Sequence, residues 1–239
     1  MGVYCITGTN RGLGLEFVRQ LAQSGGHTIL AAVRSLSSDL GDLNQVASPT
    51  THVLECDTGS IKSIRAFATQ AAQVLGPDKP IDFLINNAGI NLGSSQNSLD
   101  LDPDHLTAMV NVNVVGPAKM VEFLLGIGLL SSRVRVLNMT SGLGSMQCSS
   151  ETNPKCAGYS ISKASLNMLT IHQSKDLREK LLGAVVIAMD PGWVKTRLGG
   201  RGAILETHES ISNMLDVLDG LGDQDNGKFY QRLGQQVPW

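Results

Sequence analysis

Tyr159 and Lys163 stand four positions apart in the stretch GYSISK, at the start of a segment with helical character. Side chains at positions i and i+4 of a helix lie one above the other on the same face. An ammonium group beside a phenol favours the phenolate, which would make Tyr159 a proton donor and acceptor near neutral pH. Such a pair also arises by chance, so a functional role for it needs support from other motifs in the sequence.

A glycine-rich turn, TGTNRGLG, follows the first apolar segment directly and opens a helix near Leu13. Gly8 allows a tight turn, Gly12 lets the backbone approach a pyrophosphate, and Gly14 permits close packing of helix on sheet. The helix N-terminus adds unpaired N–H groups and the positive end of a dipole. The spacing is GxxxGxG and differs from the common GxGxxG, but its place between strand and helix predicts a dinucleotide site.

The end of the second apolar segment, AAVRS, bears on the choice between NAD and NADP. NAD enzymes usually carry an acid here that holds the ribose 2′-hydroxyl. Val33 takes that place, Arg34 follows it, and Arg11 adds a second cation within the glycine turn. Two cations and no carboxylate favour a 2′-phosphate, although a solvated Arg34 at a strand end would also be an ordinary surface residue.

Short apolar segments that alternate with helical ones must position these residues. The apolar segments lie at 3–7, 27–33, 51–56, 81–86, 134–139, 184–189 and 228–231. Most are continuously hydrophobic, as strands buried on both faces of a parallel sheet are. Helices are expected from Leu13 to about residue 24 and at 60–75, 104–126, 157–182 and 207–219, with polar connections at 35–50, 90–103 and 142–157. This pattern predicts an α/β fold, a single-domain doubly wound Rossmann fold over residues 1–239 with a parallel sheet of about seven strands flanked by helices.

Composition disfavours several other classes of protein. The chain has 239 residues, a formal net charge of −2 and no basic cluster, so neither nucleic acid nor an anionic membrane is expected as a partner. We find no signal peptide and no apolar run that approaches the length of a membrane span. The four cysteines lack CxxC spacing and the five histidines are scattered, so no metal site is expected and a reduced, cytoplasmic location fits best.

Taken together and in order, the motifs resemble those of the short-chain dehydrogenase/reductase family over essentially the whole chain. They are TGTNRGLG, Asp57 in CDTGS, NNAG at 86–89, VNVVGP with Asn113, NMTSG with Ser141, YSISK, and DPGWVKT at 190–196. The stretches TNRGLGLEFV, PGWVKT and GKFYQRLGQQVPW resemble, more narrowly, the carbonyl-reductase branch that includes the sniffer and C-factor proteins.

The resemblance implies a catalytic tetrad of Asn113, Ser141, Tyr159 and Lys163. Tyr159 would protonate the substrate carbonyl as hydride arrives from the nicotinamide, and Ser141 would hold the carbonyl oxygen. Lys163 would hydrogen-bond the nicotinamide ribose and, with the positive ring of the oxidised cofactor, lower the pKa of Tyr159. Asn113 would maintain a helix distortion and a water that links Lys163 to solvent. Thr140, which also carries a hydroxyl, is an alternative to Ser141 for its role. Asn111 is an alternative to Asn113.

The resemblance also implies a cofactor site for NADPH or NADP. Asp57 would lie beside the adenine ring, residues 87–89 would support the central strand and the adenosine side, and residues 191–196 would frame the nicotinamide carboxamide. The full set of expected cofactor-binding residues is Gly8, Asn10, Arg11, Gly12, Leu13, Gly14, Arg34, Asp57, Thr58, Asn87, Ala88, Gly89, Tyr159, Lys163, Pro191, Gly192, Val194 and Thr196.

The function expected from these residues is NADPH-dependent reduction of a ketone, quinone or aldehyde, with a small carbonyl compound as the partner. One alternative is a cofactor-binding regulator on the same fold, which the intact tetrad disfavours. Another is an NAD-linked alcohol dehydrogenase, which AAVRS disfavours. Helices 104–126 and 157–182 form dimer interfaces in many members of the family, so a homodimer stays open.

The substrate pocket is expected to have fixed walls. The segment between Ser141 and Tyr159 is longer than in many members of the family, and its part MQCSSETNPK is predicted to form a polar, flexible rim. Little chain separates Thr196 from the last strand, which leaves no room for a large lid. The expected wall residues are apolar or soft and suit extended apolar carbonyls. They are Met146, Cys148, Cys156 and Trp193, of which the two cysteines are either lining or a reactive thiol.

Overall fold

The computed structural model describes residues 1–151 and 156–239 of the chain. Its strands are β1 (Val3–Thr7), β2 (Thr28–Val33), β3 (Thr51–Glu55), β4 (Ile81–Asn86), β5 (Leu130–Met139), β6 (Val185–Asp190) and β7 (Phe229–Gln231). They form one parallel sheet in the order β3-β2-β1-β4-β5-β6-β7. The order reverses between β1 and β4, which creates the crevice where open α/β sheets bind their ligands. The predicted seven-stranded doubly wound fold is therefore confirmed.

Helices cover both faces of this sheet. They are α1 (Gly12–Ser24), α2 (Gly41–Val46), α3 (Ile61–Leu75), α4 (Pro103–Val110), α5 (Gly116–Gly126), α6 (Met146–Glu151), α7 (Ala157–Lys180) and α8 (Thr207–Asp219). A π-helical turn, Asn111–Val115, joins α4 to α5, so the predicted helix 104–126 is continuous but locally widened.

Two short helices were not predicted from the sequence, because each lies in a segment predicted to be a polar connection. In α2 a single fully buried side chain, Leu43, anchors the helix in the core. In α6 the amide of Cys148 donates to the hydroxyl of Ser145, which caps the first turn. Both helices have six residues, too few to show a helical period.

Two hydrophobic cores, one on each face, explain why the strands are apolar throughout. Cys5 of β1 packs in a core with side chains of α3 and α5, including Phe67 and Met120. Its neighbour Ile6 packs in the opposite core with Phe17 of α1 and with side chains of α8. Successive side chains of a strand point to opposite faces, so a strand covered on both faces needs apolar residues at every position.

The stretch Pro103–Gly126 is long and apolar enough to cross a membrane if only its length and composition are considered. Core helices of soluble proteins satisfy the same criterion. Here α4 and the π-helical turn pack against α7, and α5 packs against α3.

Candidate active site

The predicted functional segments meet at one edge of the sheet, where parallel strands end. The glycine turn follows β1, residues 87–89 follow β4, Ser141 follows β5 by two positions, and residues 191–196 follow β6. The carboxyl edge of a doubly wound sheet is the usual place for a ligand.

The glycine turn has a shape that only glycine can adopt at its critical positions. Gly8 and Gly12 have positive φ angles of 73° and 59°, which side chains rarely tolerate. A Cβ atom added at Gly14 would lie 2.2 Å from the carbonyl oxygen of Gly8 and 2.7 Å from the side-chain nitrogen of Asn87. The first turn of α1 can therefore approach the end of β1 only without a side chain at position 14.

The N-terminus of α1 suits a phosphate group. Within the described part of the chain no side chain caps this helix end, and its first turn, GLGL, contains no acid. The backbone N–H groups of a first helical turn lack partners in the helix and lie at the positive end of its dipole. Asn10 and Leu13 belong to the same turn, and Arg11 is exposed directly before the helix. The residues present thus fit a dinucleotide pyrophosphate.

The end of β2 places one cation at the surface. Val33 is fully buried in the core, whereas Arg34 is exposed. Among residues 1–151 and 156–239 neither Arg34 nor Arg11 forms an ion pair, so both guanidinium groups are available. The neighbouring acid is Glu55 on β3, and its carboxylate accepts a hydrogen bond from the amide of Leu36.

Residues 87–89 brace the central strands. Asn87 donates its side-chain amide to the carbonyl oxygen of Thr7 at 2.7 Å, and the Ala88 amide donates to the Thr7 hydroxyl at 2.9 Å. Gly89 lets the catalytic side chains approach, because a Cβ atom there would lie 3.3 Å from Asn113 Oδ1 and 3.6 Å from Lys163 Nζ.

A loop after β3 contains the two residues expected near the adenine. The Asp57 carboxylate accepts a hydrogen bond from the Gly59 amide at 3.0 Å, and Thr58 is buried where α5 begins. A Cβ atom at Gly116 would lie 2.7 Å from the carbonyl oxygen of Thr58. Asn111 donates its side-chain amide to the carbonyl oxygen of Gly59 at 2.8 Å, so this asparagine fixes the loop.

Asn113 lies in the π-helical turn and is fully buried. Its side chain accepts a hydrogen bond from the Ile90 amide at 2.9 Å and donates to the carbonyl oxygen of Ile90 at 2.9 Å. It also donates to the hydroxyl of Ser162 at 3.0 Å, and that hydroxyl donates to the carbonyl oxygen of Tyr159 at 2.7 Å. Asn113, and not Asn111, therefore connects the π-helical turn to the helix that carries Tyr159.

Tyr159 and Lys163 lie on the same face of α7, as their spacing predicts, and both residues are buried. The Lys163 ammonium lies 5.5 Å from the centre of the Tyr159 ring and donates a hydrogen bond to the carbonyl oxygen of Met139 at 2.7 Å. Burial lowers the pKa of Lys163 to about 8.

The environment of the Tyr159 phenol differs from the expected one. Burial raises the pKa of Tyr159 above its ordinary value, and Asp190 and Cys156 add to that effect. A lowered pKa was expected from Lys163 together with a positive nicotinamide ring. Within the polypeptide itself, removal of water from the phenol is the largest cause of this raised pKa.

Two adjacent residues with hydroxyl groups follow β5, and only one of them is accessible. Thr140 is buried and its hydroxyl points to the carbonyl oxygen of Lys163, 3.4 Å away. Ser141 is half-buried, and its hydroxyl accepts a hydrogen bond from the Leu143 amide at 3.2 Å. Ser141 can therefore donate its own proton to a ligand.

The segment after β6, residues 191–196, lies at the same carboxyl edge of the sheet. A Cβ atom at Gly12 would lie 3.5 Å from the Thr196 side chain, so this segment adjoins the glycine turn. Pro191 and Gly192, with a φ of 80°, turn the chain, and Val194 pairs with Leu205 in an isolated bridge. The loop between these two residues is held by its own backbone hydrogen bonds and by the Trp193 indole, which donates to the carbonyl oxygen of Gly199 at 2.7 Å.

The rim predicted for the pocket is partly helical. Met146 begins α6 and is largely exposed, as is Trp193. Cys156 precedes α7 in a left-handed conformation with a φ of 55°, and its thiol donates to the carbonyl oxygen of Ser94 at 3.2 Å. Residues 152–155 of the expected flexible rim lie outside the described residues.

Two residues of this site were missed by the sequence analysis. Ser162 connects Asn113 to Tyr159, and a polar residue three positions after Tyr159 on the same helix face was the available signal. Asp190 ends β6, and a Cβ atom at Gly142, the residue after Ser141, would lie 3.3 Å from its carboxylate; an acid at the end of an otherwise apolar strand was its signal. Among the residues that the structure describes, no group of three or more His, Cys, Asp or Glu side chains could hold a metal ion.

A doubly wound sheet, a glycine turn at the first helix and a buried Tyr–Lys pair beside a serine define a nicotinamide-dependent oxidoreductase. The family model described as short chain dehydrogenase matches residues 2–202. The chain belongs to this short-chain dehydrogenase family.

Individual relatives agree with this assignment. C-signal of Myxococcus xanthus is 36% identical over 182 residues, which cover 74% of this chain and 100% of that protein. The NADPH-bound carbonyl reductase from chicken fatty liver matches with a TM-score of 0.89 at 29% identity, covering 100% of this chain and 99% of that one. Carbonyl reductase Sniffer of D. melanogaster matches with a TM-score of 0.90 at 27% identity, with 100% of both chains covered.

Proposed function

We propose that this chain is an NADPH-dependent carbonyl reductase in which Tyr159 is the general acid. The observation that carries the proposal is the convergence of Ser141, Tyr159 and Lys163 beside the glycine turn. A reductase of this kind needs a proton donor, an oxygen-binding group and a cofactor cradle at one place, and these residues supply them.

Each of the three side chains has its own role in the reduction. When bound, the cofactor supplies hydride to the carbonyl carbon. Ser141 donates a hydrogen bond to the carbonyl oxygen, and Tyr159 transfers its phenolic proton to that oxygen as negative charge develops there. Lys163, charged below about pH 8, lies close enough to stabilise the phenolate that remains.

Hydrogen bonds from outside the reacting group hold this arrangement in place. The path from Ile90 through Asn113 and Ser162 to the Tyr159 carbonyl fixes the start of α7. The Lys163 bond to Met139 ties α7 to the end of β5, where Ser141 follows. Proton donor and oxygen-binding group are thus held relative to each other before a substrate enters, which is the preorganisation that such sites need.

The choice of NADPH over NADH rests on charge. Arg11 and Arg34 are exposed, without an ion-pair partner in the described chain, and they border the turn that would hold the cofactor. The chicken relative, of comparable length, has NADPH bound. We therefore assign the 2′-phosphate to these two guanidinium groups.

The proposed substrates are extended apolar carbonyl compounds such as quinones, aromatic diketones or long-chain aldehydes. Met146 and Trp193 expose apolar surface near the site. The test is to measure NADPH oxidation with each of these compounds, with a sugar and with a short hydroxy-acid partner as substrates. The same reactions with NADH in place of NADPH serve as the cofactor control. Turnover with NADPH of an apolar carbonyl supports it. A panel in which the sugar or the hydroxy-acid partner wins by tenfold or more contradicts the substrate class.

A second candidate is a signalling role on the same fold, and the name of the C-signal relative favours it. A pure sensor needs the cofactor site but has no need of Tyr159. If a cellular phenotype of the chain survives Tyr159→Phe but is lost when the glycine turn is disrupted, the signalling role is favoured over the enzyme.

We also propose a cytoplasmic location and a homodimer formed through α4, α5 and α7. Cys5 and Cys56 are buried free thiols, in agreement with a reducing compartment.

The proposed dimer is supported by Ile161 and Met168, which expose apolar surface on α7. Sedimentation analysis of the wild type against Met168→Glu tests the dimer, which the added charge should weaken.

A further inference from the structure

The segment after β7 folds back along that strand. Gly234, with a φ of 81°, turns the chain, and the Val237 amide then donates a hydrogen bond to the carbonyl oxygen of Phe229 at 2.8 Å. The Trp239 ring stacks on the fully buried Phe229 ring, with the ring centres 5.5 Å apart. Residues 237–239, which we call the strap, are therefore fixed to the β7 edge of the sheet.

The strap contacts the start of α6. The buried Ser145 hydroxyl donates a hydrogen bond to the carbonyl oxygen of Pro238 at 2.7 Å and accepts one from the Cys148 amide at 3.1 Å. The Gln147 amide donates to the backbone oxygen of Trp239 at 3.3 Å. Because α6 has only six residues, it depends on tertiary contacts for its stability. The strap supplies two hydrogen bonds of this kind.

One residue separates α6 from the group proposed to bind the substrate oxygen. The Ser149 hydroxyl of α6 donates to the carbonyl oxygen of Leu143 at 3.3 Å, and the Leu143 amide donates to the Ser141 hydroxyl at 3.2 Å. Met146, the first residue of α6, is exposed and apolar. A shift of α6 would therefore move an apolar surface beside the site.

The turn that follows Ser141 has a support of its own. Asn167 of α7 donates its side-chain amide to the carbonyl oxygen of Gly144 at 3.0 Å. A Cβ atom at Gly144 would lie 2.9 Å from the carbonyl carbon of Lys163, so the turn Gly142–Gly144 packs directly on α7. Ser141 is thus held through α7, whereas α6 is held through the strap.

We propose that the strap positions α6 as a wall of the substrate pocket and so determines the preference for extended carbonyl compounds. This inference rests on the proposed function. An apolar substrate gains affinity with the surface that it buries, so a displaced α6 would weaken binding of the part that extends beyond the carbonyl group. Because Ser141 is held through α7, the turnover of bound substrate should not change.

Trp239→Ala tests this inference, because it removes the ring that stacks on Phe229. The substrates are 1-phenyl-1,2-propanedione and 2,3-butanedione, two diketones that differ by a phenyl group in place of a methyl group. We expect KM for the phenyl compound to rise at least about fivefold, whereas kcat for both compounds and KM for butanedione should change less than about twofold.

Two further variants at this end of the chain separate the role of the ring from a general disturbance. Trp239→Phe keeps an aromatic ring for Phe229 and should restore KM for the phenyl compound. Leu233→Ala removes an exposed apolar side chain between β7 and the strap, and it should leave all four constants unchanged.

Ser145→Ala breaks the same connection from the side of α6 and decides the inference if Trp239→Ala does not fold. It removes the donor to Pro238, so KM for the phenyl compound should again rise at least about fivefold. Ser150→Ala is the matched control, because the Ser150 hydroxyl donates only within α6, to the carbonyl oxygen of Gln147 at 2.7 Å. This control should bind and reduce both diketones as the wild type does.

A second measurement needs no turnover. Equilibrium dialysis of 1-phenyl-1,2-propanedione against the protein with NADP present should give a Kd at least about fivefold higher for Trp239→Ala and Ser145→Ala than for the wild type. This result supports the inference even if the wild type reduces no carbonyl compound, an outcome that would contradict the proposed function alone. The inference is overturned if the wild type does not bind the phenyl compound, or if both folded variants bind it with native affinity. An equal loss for the two diketones also overturns it, since the strap would then act on the whole site.

Discussion

The Lys163 ammonium lies 2.7 Å from the carbonyl oxygen of Met139, so a buried cation of α7 is held by the end of β5. This single contact joins the strand that leads to Ser141 with the helix that carries Tyr159. It also means that the protein buries a positive charge with one described hydrogen-bond acceptor, which has a measurable effect on stability.

Stability should therefore depend on pH through Lys163. Its pKa falls from 10.5 to about 8 on folding, so the folded chain binds fewer protons than the unfolded chain between these values. Burial of the charge is unfavourable below about pH 8, and folding becomes more favourable as pH rises toward 10.5. The free energy of unfolding of the wild type, minus that of Lys163→Met, should increase by on the order of 3 kcal/mol over this window.

Urea unfolding at a series of pH values measures this difference. The exposed Lys62 provides the matched control, since Lys62→Met should give a difference that stays flat over the same window. A flat difference for Lys163→Met as well would show that Lys163 is not buried as a cation.

Loss of the Tyr159 hydroxyl should remove catalysis but not cofactor binding. In Tyr159→Phe the ring remains on α7 and the proton donor is lost, so turnover should fall by at least the ~10²-fold attributed to a positioned general acid. Tyr230→Phe is the matched control, because its hydroxyl donates to Asp225 at 2.6 Å and takes no part in the proposed chemistry. NADPH oxidation and NADPH binding measured on both variants separate the two effects. Near-native turnover in Tyr159→Phe would exclude the tyrosine mechanism.

Cofactor preference should depend on Arg34. Hydrogen bonds to charged groups contribute roughly 1.5 to 3 kcal/mol, so Arg34→Ala should lower the preference for NADPH over NADH by about tenfold or more. Arg133→Ala removes an exposed arginine from the first half of β5, away from the site edge, and should leave the preference unchanged. Competition between the two cofactors in steady-state kinetics checks this.

A carboxylate introduced at Val33, where NAD enzymes usually carry an acid, would have a cost in stability. Val33 is fully buried in the core, so Val33→Asp would place a carboxylate among apolar side chains. Any shift toward NADH in Val33→Asp, Arg34→Ala would therefore come with lost stability. Equal use of both cofactors by the wild type would contradict the interpretation of AAVRS.

The number of strands buried on both faces and the shared helix face of the catalytic pair could be predicted because their signals are local. A continuously apolar strand such as Val3–Thr7 can be buried only on both faces, and Tyr159 and Lys163 share a helix face by spacing alone. The widened turn around Asn113 was expected from the family and is present.

What could not be predicted depends on contacts distant in sequence. The burial of Lys163 under Met139, the reach of Asp190 toward Gly142 and the orientation of Thr140 all arise from segments that meet only in the folded chain. The raised pKa of Tyr159 follows from the same burial, which no spacing of residues reveals. Short helices such as α2 are fixed by one buried side chain, which no periodic pattern shows.

Gly14 and Gly126 offer a matched test of the cofactor cradle. A Cβ atom at Gly14 would lie 2.2 Å from the Gly8 carbonyl oxygen, so Gly14→Ala must move the backbone of the turn and should cost roughly 1–3 kcal/mol of stability. At Gly126, in the last turn of α5, a Cβ atom meets nothing within 4 Å, and Gly126→Ala should stabilise the chain by about 0.4–1 kcal/mol.

The two variants should also differ in cofactor binding. Because Gly14→Ala displaces the N–H groups proposed to hold the pyrophosphate, affinity for NADPH should fall at least about tenfold, a loss measurable by calorimetry on the folded variant. Gly126→Ala should bind NADPH as the wild type does. If folded Gly14→Ala binds NADPH with native affinity, the pyrophosphate does not lie on the first turn of α1, and the cofactor site has to be sought elsewhere on the carboxyl edge of the sheet.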